Sequence, residues 1–375
     1  MESSEGIFLA RPGDAASGIP LAVKDLFDTA GLTTTYGSSI FAEHVPQRTA
    51  EAVRRLEQGG YANVGKTNLH EFAYGVTSMN PHYGWVPNPV LAGRIAGGSS
   101  GGSAAALAAG LADAALGTDS GGSIRIPAAY CGIVGFKPTY GIVSLDGCWP
   151  LAPSYDHAGP MARTVADCVA MLEALVPEFE PPPRADLTEI RVAVAWLEDA
   201  DDGVRARVEA AAELFPRHER LDFPRGRGNL RVFMREIAEV HETLFAEQPD
   251  AYGDDVARKI RDCLAVTDAE VATAEGVRAS YRDEAAALLV GFDLLLTPTQ
   301  GFVAPTYEEA ADDSLRAGIT SFTNPFNALG WPALALPCGS AEHGLPASVQ
   351  LVGRSGEDAA VLAAGLALEA ALRLT

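Results

Sequence analysis

From Gly18, the segment GIPLAVKDLFDTAG is a short apolar run closed by Asp28 and Gly31, the pattern of a strand feeding a loop, with Lys24 near the strand's end. Thr49 opens TAEAVRRLEQ, in which Ala52, Val53 and Leu56 share one helical face and Gly59 and Gly60 stop the helix after a charged last turn. A strand, YANVGK, follows. GGSSGGSAAALAA, from Gly97 to Ala109, passes from a glycine and serine loop into an alanine-rich helix. LADAALGTD then reads as a buried strand, SGGS as a second glycine loop and IRIPAAYCG as a short helical segment. RTVADCVAMLEAL is a helix capped by Thr164 with Asp167 three residues on, and EFEPPPRAD crosses the surface. Residues from about 199 to 289 are charged and helical in period, the pattern of an outer helical layer. FDLLLTP, PALALP and ASVQLVG are late strand candidates, and EDAAVLAAGLALEAAL closes the chain as a helix. Strands and helices alternate, which predicts an α/β sheet covered by helices on both faces. Because strands come from the first and last thirds, the expectation is one domain over residues 1–375. Its parts would be a core at about 18–176, the helical layer, and C-terminal strands and helix at about 290–375.

Of the 375 residues 47% are hydrophobic and 21% charged, enough to bury a large core without disulfides or metals. The formal net charge of −21 repels phosphate backbones and anionic membranes, so neither nucleic acid nor a membrane is expected as a partner. Cys131, Cys148, Cys168, Cys263 and Cys338 are scattered, with no CxxC pair and no histidine at ligand spacing. They read as small buried hydrophobes in a reducing compartment, and no metal or cofactor is expected. MESSEGIFLARPGD lacks the basic start and apolar stretch of a signal peptide, and no apolar run is long enough to span a bilayer; a cytoplasmic location is expected.

Three patterns compete for the chemistry. Residues Gly60 to Thr67 satisfy the phosphate-loop spacing GxxxxGK[ST], with Lys66 as its lysine. A helix precedes Gly60, however, and the intervening residues read as a strand, so Lys66 fits a strand end better than a nucleotide site. Gly97 to Gly101 fits the GxSxG elbow, which would make Ser99 a nucleophile served by His157, His218, His241 or His343; no setting singles one of these out. The third constellation joins Lys24, Ser99 in GGSSGGS and Ser123 in GTDSGGSIRIP. Glycines around two serines let backbone approach a substrate closely, and SGGS before a helical segment aims consecutive N–H groups at one point, as an oxyanion site requires.

The stretch GGSSGGSAAALAAGLADAALGTDSGGSIRIPAAYCGIVGFKPTYG closely resembles the signature of the amidase signature family. Similarity extends to PLAVKDLFDTAGLTTTYGS, VGKTNLHEFAYGVTSMNPHYG, DHAGPMARTVAD, TNPFNALGWPALALPCG and GLPASVQLVG, covering residues 18–176 well and about 290–370 loosely. The resemblance implies a central mixed β-sheet and an amide hydrolase with Ser123 as nucleophile, Ser99 as bridging serine and Lys24 as base. It further implies a cis peptide between Gly98 and Ser99, and an oxyanion site from the N–H groups of Ser120, Gly121, Gly122 and Ser123. Ser100, Asp119 and Arg125 would support the loop, the last two as an ion pair. Phe72, Tyr74, Met79 and Asn80 would be candidates to line the substrate pocket, with core packing the equal alternative for each aromatic. For a serine hydroxyl to be activated in this way, the Lys24 pKa must fall from its ordinary ~10.4 through burial.

Against the family pattern, Lys24 lies near the start of the sequence and the middle is short. That implies a more open pocket and leaves monomer or homodimer open. The implied partner is a small-molecule amide, with ester or carbamate as further possibilities. Within the family the rival is the glutaminase A subunit of a tRNA-dependent amidotransferase; outside it, the nucleotide and histidine-triad readings.

Overall fold

A computed structural model of the chain describes residues 5–13, 17–226 and 230–374. Its centre is an eleven-stranded mixed sheet. From one edge the strands run Phe8–Ala10, Tyr61–Thr67, Ile19–Lys24, Ala114–Thr118, Ala158–Ala162 and Val134–Lys137, then Ala333–Ser340, Pro346–Val352, Leu294–Pro298, Arg191–Val194 and Arg217–Arg220. Val134–Lys137 pairs antiparallel with Ala333–Ser340, so strands from the first and last thirds share one ladder.

Side chains alternate across a strand, and the strands use both faces. Leu21, Val23, Leu116, Leu334, Leu336, Val349 and Leu351 face one core with residues of the helices Glu51–Gln58, Val165–Leu175, Asp202–Glu213 and Asp358–Leu372. On the other face Ala22, Ala115 and Ala335 meet the helices Gly101–Ala108 and Arg125–Cys131. Farther along, Ala193, Leu295, Ala333 and Val352 pack with the helices Leu230–Glu247, Asp254–Leu264 and Asp268–Leu288. Alanine on the strands lets the glycine-started helix lie close: a Cβ at Gly102 would overlap the backbone of Asn68.

Ala52, Val53 and Leu56 are the buried residues of Glu51–Gln58 as expected, but Thr49 does not cap it. Its hydroxyl accepts the Ala30 N–H instead, and Ala50 holds the cap position. Thr164 does accept the Asp167 N–H at the start of Val165–Leu175. Within the expected helical layer, Arg217–Arg220 is instead a strand, parallel to Arg191–Val194 at the sheet edge. RHER is exposed at all four positions, so it carries no alternation to read. No helix among the described residues is long and apolar enough to cross a membrane.

The phosphate-loop reading fails on this fold. Residues 61–67 are strand from Tyr61 to Thr67, so no loop wraps before the lysine. Lys66 is fully buried, ion-paired with Asp25 at 2.8 Å and bonded to the Thr34 hydroxyl at 2.6 Å. Removing one partner of a buried pair leaves the other charge uncompensated. Lys66→Ala is expected to lower unfolding stability by about 3–5 kcal/mol in a urea titration. Calorimetry is expected to find no ATP binding to either protein.

Candidate active site

Two neighbouring parallel strands, Ile19–Lys24 and Ala114–Thr118, end together, with Val23 opposite Leu116. Their last residues meet: Lys24 Nζ donates to Thr118 Oγ1 at 2.6 Å. It also donates to Ser99 Oγ at 2.7 Å. The carboxyl ends of parallel strands are where α/β sheets place ligands, and both glycine loops lie there. Lys24 and Ser99 are completely buried, and Ser123 is 6% exposed. Among the described residues no carboxylate bonds the Lys24 amine, and desolvation lowers its pKa to about 7 against the pull of Cys148, Asp119 and Asp156.

Ser99 is fixed through its backbone. The Gly98–Ser99 peptide is cis, and the Ser99 carbonyl accepts the His70 N–H at 3.2 Å and the Ser78 hydroxyl at 3.3 Å. Ser100 ties the two loops together: its N–H donates to the Ser123 carbonyl at 3.2 Å, and its hydroxyl donates to the Thr118 carbonyl at 3.1 Å. The fold thus brings Lys24, Ser99 and Ser123 to one place. The Lys24–Ser99 contact is a hydrogen bond, whereas among the described residues none joins the Ser99 and Ser123 hydroxyls.

The SGGS loop hangs on Asp119 and Arg125, both fully buried. Arg125 presents a two-pronged fork to Asp119, Nε to Oδ2 at 3.0 Å and Nη2 to Oδ1 at 2.9 Å. Its remaining donors reach the Thr323 carbonyl, Gln350 Oε1 and Asn327 Oδ1 at 2.9, 2.8 and 2.7 Å. Burial would raise the Asp119 pKa, but the guanidinium holds it well below the usual carboxylate range. Asp119 Oδ1 also accepts the Gly122 N–H at 2.7 Å. That corrects one member of the expected oxyanion set: the Gly122 N–H is spent inside the loop. The N–H groups of Ser120, Gly121 and Ser123 have no hydrogen-bond partner among the described residues.

Several contributors went unnoticed in the sequence. Thr118 sat inside a quoted motif, and Asp156 sat beside the histidine weighed in SYDHAGP. Asp156 accepts the Ser120 hydroxyl at 2.6 Å and the N–H groups of Leu151 and Ala152. Burial, opposed by these bonds, pushes its pKa up. His157, by contrast, uses Nδ1 on the Tyr155 and Asp119 carbonyls, and burial drives its pKa well down. No histidine side chain among the described residues bonds the hydroxyl of Ser99 or Ser123. No cluster of three His, Cys, Asp or Glu residues suited to a metal occurs among them either.

A cavity of about 170 Å³ adjoins the loops. Thr118, Ser120 and Asp156 form its polar end, and Leu26, Leu145, Cys148, Trp149, Leu151 and two prolines form its walls. None of the four expected pocket residues lines it. Phe72 is core, packed on Phe41, Trp149, His241 and Tyr252. The Tyr74 hydroxyl lies 3.2 Å from Cys263 Sγ, and Met79 packs beside the Ile95 and Tyr130 cluster. Asn80 spends its amide on the carbonyls of Gly37 and Leu69. A larger cleft of about 820 Å³ beneath Trp196 and Tyr281 shares no residue with either glycine loop.

A buried lysine and two serine loops at the strand ends of an α/β sheet fit a hydrolase, and the family match makes the chain one that acts on amide C–N bonds. The amidase family model matches residues 8–191 and 176–362, and the chain belongs to that family. It is 34% identical to the A subunit of the glutamyl-tRNA(Gln) amidotransferase of Synechococcus sp. (strain RCC307), over 91% of this chain and 80% of that protein. It is 35% identical to the corresponding protein of Roseiflexus castenholzii, over 94% and 82%. Among solved structures it resembles an amidase, with 40% identity, a TM-score of 0.87 and coverage of 94% of this chain and 84% of that one. The structure of the amidotransferase A subunit from Thermotoga maritima has 31% identity, a TM-score of 0.83 and coverage of 96% and 86%.

The Asp119–Arg125 fork generates a stability prediction. Arg125→Leu is expected to lower unfolding free energy by about 3–5 kcal/mol. Arg125→Lys should restore less than half of that in the same denaturation assay, since one ammonium cannot reproduce the fork.

Proposed function

We propose that the chain hydrolyses a carboxylic amide through an acyl-enzyme on Ser123, with Ser99 relaying the proton and Lys24 as the base. The observation that carries the reading is the 2.7 Å contact between Ser99 Oγ and an amine whose pKa is lowered to about 7. A neutral amine has two hydrogens and a lone pair. With Thr118 accepting one hydrogen, the lone pair takes the Ser99 proton as Ser99 takes that of Ser123. Ser99 and Ser123 would close their hydrogen bond around bound substrate, as catalytic contacts commonly tighten in the Michaelis complex.

The uncommitted N–H groups of Ser120, Gly121 and Ser123 would meet the oxyanion, and the proton would return through Ser99 to the departing nitrogen. Water then releases the acid. Asp119, Arg125 and Ser100 support the loop, and residues 1–375 act as one domain around the shared sheet. The names of the curated relatives favour a second reading, the glutaminase component of an amidotransferase. Turnover of simple amides by the isolated chain, unstimulated by a tRNA-binding partner, would favour the free-standing enzyme; dependence on such a partner would favour the amidotransferase component.

Ser123→Ala is expected to lower kcat by about 10⁴-fold or more, with Lys24→Ala similarly severe. Undiminished turnover in Ser123→Ala would sink the assignment. Because a protonated amine has no lone pair, kcat/KM is expected to fall as pH drops through about 7 and to level off above it. A profile flat from pH 5 to 9 would remove Lys24 as the base.

A further inference from the structure

The cavity beside the SGGS loop has one polar end and mostly apolar walls, although the indole N–H of the lining Trp149 is buried without a hydrogen-bond partner among the described residues. At the polar end every side chain is already engaged. The Thr118 hydroxyl accepts from Lys24, and the Ser120 hydroxyl donates to Asp156. Asp156 is filled by that hydroxyl and the backbone N–H groups of Leu151 and Ala152. Among the described residues no lysine or arginine lines the cavity. Its walls include Leu26, Leu145 and Leu151, the Trp149 indole, and Cys148, whose thiol burial keeps neutral.

We propose that this cavity receives one uncharged, ring-sized apolar substituent of the scissile amide, so that the substrates are small apolar carboxamides and not α-amino acid amides. The inference rests on the reading of Ser123 as nucleophile, because Thr118 and Ser120 connect the cavity to that centre. Two arguments carry it. The first is size: a dry apolar cavity of ~150 Å³ accommodates benzene, and this one measures about 170 Å³. One ring or a branched alkyl group fits, and a long chain does not.

The second is charge. Glutamine carries an α-ammonium and an α-carboxylate, and the carboxylate would enter these walls with no cation to pair it. The nearest amine, Lys24, is held by two hydroxyls and is needed without charge. The carboxylate in the wall, Asp156, is satisfied by its own donors and offers the ammonium little. The same apolar substituent can arrive on either side of the amide bond, on the acyl carbon or on the nitrogen.

Wild-type protein is assayed on acetamide, benzamide, N-phenylacetamide and L-glutamine. At least one phenyl amide is expected to exceed acetamide by ~10-fold or more in kcat/KM, with glutamine below acetamide. Whichever phenyl amide wins identifies the side of the bond that enters the cavity. Cys148→Phe and, independently, Leu145→Phe shrink the cavity, and each is expected to reduce the ratio of phenyl amide to acetamide turnover by ~10-fold or more. Preference for glutamine or acetamide over both phenyl amides overturns the inference, as does an unchanged ratio in both variants. Those results would leave the nucleophile untouched. Loss of the nucleophile reading shows separately, as turnover that survives Ser123→Ala or as no turnover of any amide.

Discussion

The site depends on burying one amine without giving it a carboxylate. Lys24 has no exposure, and its two bonded acceptors are hydroxyls. A carboxylate beside a buried lysine opposes the fall in its pKa, whereas hydroxyls leave desolvation to bring it near neutrality. Two carboxylates pull on this amine, Asp119 and Asp156, and these as well as the adjacent Asp25 are occupied. Asp25, next in sequence, is held by Lys66 and by the Thr35 N–H and hydroxyl. Asp119 is held by Arg125, and Asp156 by Ser120 and two N–H groups.

Strand geometry explains why two lysines a few ångströms of backbone apart differ so much. Lys66 lies opposite Val23 on the adjacent parallel strand, one residue out of step with Lys24. Val23 and Lys24 are consecutive on the strand, so Lys66, paired with Val23, lies on the side opposite to the Lys24 side chain, and Asp25 opens the turn that follows. Asp25 therefore meets Lys66 in a structural ion pair, while Lys24 reaches across to the end of Ala114–Thr118 and the glycine loop. The phosphate-loop spacing around Lys66 is a coincidence of letters on a strand that the fold uses for pairing.

Ala52, Val53 and Leu56 were legible as one helical face, and LADAALGTD and ASVQLVG as short apolar runs buried on both sides of the sheet. Arg217–Arg220 was illegible, since an edge strand exposed on both sides obeys no alternation. Lys24, Ser99 and Ser123 were legible as a group only through the signature resemblance; spacing alone left three readings open. Gly122 in the oxyanion set was misread because sequence shows which N–H groups are consecutive but not which are already bonded. The pocket misled for a related reason: Phe72 and Tyr74 look like a lining, yet aromatic side chains fill cores as readily as clefts.

The stretch between about 199 and 289 carries no recognisable motif, yet it reaches the site through one wall. Trp149 packs on Tyr36, Phe41 and Phe72. Phe72 and Trp149 both lie against His241, on the helix Leu230–Glu247, and Tyr252 closes the group from the next turn. A protein interior is close-packed, so a change of volume at His241 or Tyr252 is passed to its neighbours and not absorbed. The glycine loops, by contrast, are pinned from the other side by Thr323, Asn327 and Gln350 through Arg125. The chemistry and the cavity wall therefore rest on different parts of the chain. The middle region can alter what fits against Trp149 while the loops that hold Ser99 and Ser123 keep their geometry.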